Sequence, residues 1–140
     1  MTATPPGIRE YALDQMNHLL TRLVFQIHRA AKVPGPEEIH DVRVSIRRFS
    51  QCLLLFAEFF PRWEVKKIKR RLKRMLRLTS QIRDRDITLD FLASLKQTRH
   101  RPRLVKKRLA LQKEFSQMVR HWNARDFSAK WRNGLSLRNT

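Results

Sequence analysis

One cysteine, three glycines, one tyrosine and only 12 acidic side chains are what this 140-residue sequence has in short supply. Cys52 on its own can neither close an internal disulfide nor build a multi-cysteine zinc site, so nothing argues against a reducing compartment. No run approaches the ~18 uncharged apolar residues of a membrane span. The segment from Met1 to Gly7 has neither the charged nor the apolar region of a signal peptide. A soluble, cytoplasmic protein is expected. No stretch alternates with period two over strand length, and no Asn-Gly or Asp-Gly pair lies between such stretches, which leaves no basis for strands. The length suits a single domain.

Positive charge is what abounds. Lysine and arginine number 31 against 12 acids, a net of +19, and 21 of the 31 are arginine. Such self-repulsion disfavours a compact chain unless something anionic uses it. The planar guanidinium fork matches phosphate oxygens better than an ammonium does. Disorder is the alternative for so charged a chain, but three tryptophans, eight phenylalanines and a leucine-rich pattern supply a core that disordered tracts lack.

Apolar residues recur with helical spacing almost throughout. Ile8, Met16, Leu19, Leu20, Leu23, Ile27 and Ala30 mark a first helix, which Val33-Pro34-Gly35-Pro36 ends. Pro36, Glu37 and Glu38 open a second, predicted to run to Phe60 before Pro61, with Ile39, Val42, Ile46, Phe49, Leu53, Phe56 and Phe60 inward. A third is predicted from Trp63 to Thr79 over Val65, Ile68, Leu72, Met75 and Leu76. The pattern breaks at residues 80–84, as a kink or as a turn, before a further element that carries Ile87, Leu89, Phe91, Leu92 and Leu95. A last long helix covers residues 103–122, facing inward with Leu104, Leu111, Phe115, Met118 and Trp122, and with Arg108 as an anomaly in that row. Residues 124–131 suit a short helix and residues 133–140 a tail. The expected fold is all-α, an up-down four-helix bundle with a short additional C-terminal helix.

Two helical faces concentrate the cations. At about 100° per residue, His40, Arg43 and Arg47 fall within about 60° of one another beside the apolar face of the second helix. On the third helix Lys66, Lys69, Arg70, Lys73 and Arg77 share a sector of about 100°, flanked by Lys67, Arg71 and Arg74. A solvated face is the ordinary explanation for a charge run. Ordinary faces mix signs, however, because like charges at i,i+4 cost ~0.2–0.5 kcal/mol. Lys66/Arg70, Lys69/Lys73, Arg70/Arg74 and Lys73/Arg77 are all like pairs, so an external anion, and a linear one, is expected on this ridge. His40 lacks partners at metal-ligand spacing, and no metal site or cofactor is expected. The Arg83-Asp84-Arg85-Asp86 run reads either as a helix start with structural salt bridges or as Asp84 or Asp86 steering arginine side chains.

His40-Asp41-Val42-Arg43-Val44-Ser45-Ile46-Arg47-Arg48-Phe49, followed after the ridge by Arg83-Asp84-Arg85-Asp86, resembles the CHAD family, the conserved histidine α-helical domain. Glu37-Glu38-Ile39 and Leu72-Lys73 are similar to that pattern as well. The resemblance implies a helical module that binds inorganic polyphosphate on a basic surface and performs no chemistry. It carries over His40, Arg43, Arg47 and Arg48, with Lys73 as a basic position before Arg83. Ser50 departs from a usual Arg, and Thr79-Ser80 from a usual Leu-Gly. Typical members resemble two bundles in tandem, so this chain is either one half of such a protein or completes the basic groove as a homodimer.

Polyphosphate binding by the surface of helices two and three is therefore the expected function, in the cytoplasm and with polyphosphate granules as one setting. Nucleic acid is the competing partner, since its backbone suits the same charge. Against it, Phe49, Phe56, Phe60 and Phe115 belong to apolar faces rather than to a stacking surface. Catalysis on phosphoanhydrides is not expected, for there is no phosphate loop of the G-x-x-x-x-G-K-[ST] type and no Glu-x-Glu-x-Lys signature. Membrane association is not expected either, because the apolar faces are needed by the core.

Overall fold

The computed structural model describes residues 7–137, and these form five α-helices, one 3-10 turn and no strand. Helix α1 spans Ile8–Lys32 and buries Ala12, Met16, Leu20, Leu23, Ile27 and Ala30, a stripe spaced by three and four residues. It ends where Pro34-Gly35-Pro36 turns the chain. Pro36 occupies the first turn of α2, Pro36–Leu55, where a missing N–H costs nothing, and Glu37 and Glu38 face the positive end of the helix.

The second helix stops at Leu55, earlier than the predicted Phe60. A 3-10 turn over Ala57–Phe59 tightens the chain, and Phe60 then takes an extended conformation. This turn drops Phe60 into the core ahead of Pro61, so the residue is buried as expected although it is no longer helical.

Helix α3 runs unbroken over Arg62–Ser94, and the expected interruption at residues 80–84 is absent. The two hydroxyl residues that stand at this point of the helix are accommodated. Thr79 is buried and donates to the carbonyls of Met75 and Leu76, at 2.8 and 3.1 Å, which leaves the helix ladder intact. Thirty-three residues give α3 a length of about 50 Å against about 30 Å for the 20 residues of α2.

That difference leaves the apolar residues near the end of α3 without α2 beside them. The end of α3 projects past the start of α2, so Ile87, Phe91 and Leu95 are more than half exposed and Leu89 and Leu92 are only partly covered. None of these five apolar residues is buried.

Helix α4, Arg101–Ala124, returns along α3 and buries Phe115, Val119 and Trp122. Arg108 is not a flaw in its apolar row. Its guanidinium meets the carboxylate of buried Asp86 on α3 at 3.0 Å, the carbonyl of Pro34 at 2.6 Å and the side chain of Gln112 at 2.5 Å. One side chain thereby ties α4 to α3 and to the α1–α2 turn.

Helix α5 is Phe127–Gly134, opened by Asp126, whose carboxylate accepts from the amide of Ala129. Phe127 and Trp131 pack with Trp122 at ring separations of 5.1–5.5 Å, and Phe49 stacks on Trp131 at 6.0 Å. The expected tail begins later than Asn133, since Leu135 and Leu137 are buried against the bundle. Residues 138–140 of that tail, and Met1–Pro6 of the N-terminal segment, lie outside the described residues.

The architecture is four long helices in sequence around one core, α1 beside α2, α2 beside α3 and α3 beside α4, with α5 packed against α1, α3 and α4. Among the described residues no helix is long and apolar enough to cross a membrane.

Candidate anion-binding face

The α2–α3 seam organises the cations. Arg43, part-buried on α2, donates from Nη2 to the hydroxyl of Ser80 on α3 at 3.0 Å. This contact joins the middle of α2 to α3, where Arg47 of α2 and Arg83 of α3 lie close enough to act on the charge of Arg43.

Arg43 is surrounded by positive charge. Burial, then the neighbouring charges of Arg47 and Arg83, hold its guanidinium below the ordinary arginine value, and Asp84 opposes them. The Nε–H of Arg43 is buried and has no acceptor within the protein. An unpartnered donor among three guanidiniums is an electrostatic arrangement that an oxyanion would relieve.

From this cluster the cations continue along α3. Lys73 follows Arg83 toward the N-terminus of the helix, Arg77 turns toward α4 and lines a depression with Arg74, Gln81, Glu114 and Met118, and Lys66, Lys69, Arg70 and Lys73 line a shallow depression on the exposed side of α3. The residues between Lys66 and Arg83 span about 26 Å of helix axis. His40 and Arg47 are exposed on α2, and Lys66, Lys69 and Arg70 are exposed on α3. The predicted residues thus form an elongated track rather than one pocket.

Arg48 stands apart. It follows Arg47 by about 100° around α2, on the side where Asp41 pairs with Arg29 of α1 at 3.0 Å. The Arg83-Asp84-Arg85-Asp86 run likewise divides. Arg83 and Asp84 stand near Arg43, while Asp86 is committed to Arg108. Asp86 forms the structural salt bridge expected of this run, while the run itself lies within α3 rather than at a helix start.

A family model described as CHAD domain matches residues 12–137, from the first turns of α1 to the segment after α5. The chain belongs to the CHAD-domain family. No curated protein and no solved structure matches the chain. The CHAD match extends well beyond the motif-bearing region from Glu37 to Leu95, so α1, α4 and α5 are family elements too. Ser80, one of the departures from the usual CHAD pattern, supplies the acceptor that holds Arg43. That role was not visible in the sequence, because it requires knowing that α3 continues through residue 80 and that its register brings Ser80 to Arg43.

Proposed function

We propose that this CHAD domain binds inorganic polyphosphate along the α2–α3 face and performs no chemistry on it. The observation that carries the reading is Arg43, fixed by Ser80, with a buried donor left over and Arg47 and Arg83 beside it. His40, Arg43, Arg47 and Arg83 would hold one stretch of phosphates, and Arg77, Lys73, Arg70, Lys69 and Lys66 the next. Membership of the family supports the ligand class, since CHAD domains are associated in general with polyphosphate. The face presents donors almost exclusively, with Asp84 as its one nearby acid, which suits holding an anion rather than activating water or a metal.

Nucleic acid is the second reading, and one observation favours it. Trp63 is 65% exposed at the start of the ridge, with the ammonium of Lys67 5.8 Å from its ring centre. A single such ring offers one stacking position, whereas Phe49, Phe60 and Phe115 are buried. Competition decides between the two: labelled polyphosphate is displaced by unlabelled polyphosphate, by RNA and by duplex DNA at matched phosphate and salt. Displacement by RNA as effective as by polyphosphate would defeat the first reading.

Pairing of two copies through a two-fold axis belongs to the same proposal. Ile87, Phe91 and Leu95 project from a stretch, Asp86 to Leu95, that contains no Lys or Arg, so repulsion between two +19 chains is least there. Sedimentation of the full chain with and without Phe91→Glu tests it, a monomer in both cases ruling the pair out.

A further inference from the structure

Helix α3 has a second charged flank, turned away from α2. Lys67, Arg71 and Arg74 follow at i, i+4 and i+7 and share the side facing α4. Antiparallel α4 brings Gln117, His121 and Arg125 alongside them, and α5 adds Lys130. These residues line consecutive depressions, of which neighbours share first Arg71 and Arg125 and then Arg74 and Met118, so that they make one continuous groove. Glu64 stands at one end and Glu114 at the other. Between them the rim is cationic.

The floor is apolar, made by Met118 with the buried rings of Trp122 and Trp131, whose centres are 5.5 Å apart. Among the described residues the ion pairs are Arg29–Asp41 and Arg108–Asp86, and neither involves a cation of the groove. Charges from three separate elements are thus gathered along one rim without acids between them, where like charges repel. A linear anion rich in oxygen acceptors relieves that repulsion. Both tryptophan rings are covered and offer no face for a base to stack on, which favours a bare phosphate chain over a nucleic acid.

We propose that the α3–α4–α5 groove is a second polyphosphate site, on the opposite flank of α3 from the Arg43 face. A long chain occupies both by crossing the Lys66–Arg77 ridge. The identity of the ligand rests on the function proposed above, while the location does not. Occupation of two linked sites by one molecule makes the second contact intramolecular, so affinity rises steeply once the chain is long enough to reach both.

The test is a titration of the labelled full chain with sodium tripolyphosphate, followed by NMR. The indole N–H signals of Trp122 and Trp131 report on the groove and the Ser80 amide on the α2–α3 face. Two variants accompany it, Arg43→Gln with Arg47→Gln, and Arg74→Gln with Arg125→Gln, the latter at exposed side chains that the fold does not need. The indole signals are expected to move in the first variant as in the unaltered chain, and to stay still in the second while Ser80 still responds. Long-chain polyphosphate should bind at least tenfold more tightly than tripolyphosphate to the unaltered chain, and either variant should lose that advantage. Indoles that stay still while Ser80 moves would overturn the groove and leave the face standing. The reverse would overturn the face and keep the groove, and no response from either would overturn both. Equal indole shifts with RNA or polyglutamate at matched charge would overturn the assignment of this groove to phosphate chains.

Discussion

The Nη2 of Arg43 lies 3.0 Å from the Ser80 hydroxyl, a bond that crosses from α2 to α3 and aims the rest of the guanidinium at the neighbouring cations. Ser80 therefore acts by positioning Arg43. Ser80→Ala is expected to weaken polyphosphate binding about fivefold, near 1 kcal/mol. Ser80→Ala and Arg43→Lys together should cost less than their sum, because both disturb one interaction. Calorimetry on the four members of the cycle checks this, and strict additivity would show that Ser80 does not act through Arg43.

Arg43→Lys and Arg47→Lys retain every charge yet lose the planar fork, and each is expected to weaken binding about tenfold. Arg22→Gln removes a charge from an exposed position on α1 and should have little effect. Equal losses from all three would mean that bulk charge, rather than placed guanidinium groups, governs the interaction.

The ion pair of Asp86 and Arg108 is the one polar tie inside the α3–α4 interface, with both side chains about one-tenth exposed. Removing one partner leaves the other buried and uncompensated, so Asp86→Ala should lower stability by about 3 kcal/mol. Asp86→Leu combined with Arg108→Met should recover most of that loss. Urea midpoints at equal slope measure both changes. Polyphosphate affinity should be unchanged, because Asp86 points away from Arg43.

Periodicity sufficed for the bundle because core residues such as Met16, Ile46, Leu72 and Phe115 recur at helical spacing, and it sufficed for the cationic ridge for the same reason. It failed where a local signal competed with tertiary contacts. The apolar pattern lapses at residues 80–84, yet the helix continues, with the hydroxyl of Thr79 bonded back to the preceding turn and that of Ser80 claimed by Arg43. Ile87, Phe91 and Leu95 look like core because period alone does not show that α2 is too short to cover them. Arg108 stood out as an anomaly on an apolar row, and nothing in sequence spacing links it to its partner Asp86, 22 positions earlier. The groove behind α3 was hidden for a related reason: Arg71 and Arg74 were visible as flanking charges, whereas His121 and Arg125 join them only through packing.

Cys52 provides a pH-dependent observable in α2. Burial pushes its thiol above the ordinary cysteine value, since desolvation disfavours the thiolate. Reaction with a disulfide reagent at pH 8 should be slower than for the urea-unfolded chain and should accelerate as pH rises past the ordinary thiol range. The accompanying stability is full below the unfolded thiol value and is lost as pH rises through the folded one. Native and unfolded chains reacting at the same rate would contradict this.

The crowding of like charge on α3 predicts how the fold responds to its ligand. Lys66/Arg70, Lys69/Lys73, Arg70/Arg74 and Lys73/Arg77 repel along one helix, and Arg43, Arg47 and Arg83 repel across the α2–α3 seam. A chain of phosphates neutralises both sets only when the helices are formed and in register, so it binds the folded state in preference. At a free concentration one hundred times the dissociation constant the gain is about 2.7 kcal/mol. For a domain of this size that corresponds to a rise of roughly 8 °C in Tm. Raising salt should erode the gain steeply, because binding a linear polyanion releases its condensed counterions. The bare protein should respond in the opposite direction, since salt screens the exposed charges that destabilise it. Thermal melts over a salt series, with and without polyphosphate, should therefore converge from both sides; parallel curves would show that the ligand does not act through the charges of these helices.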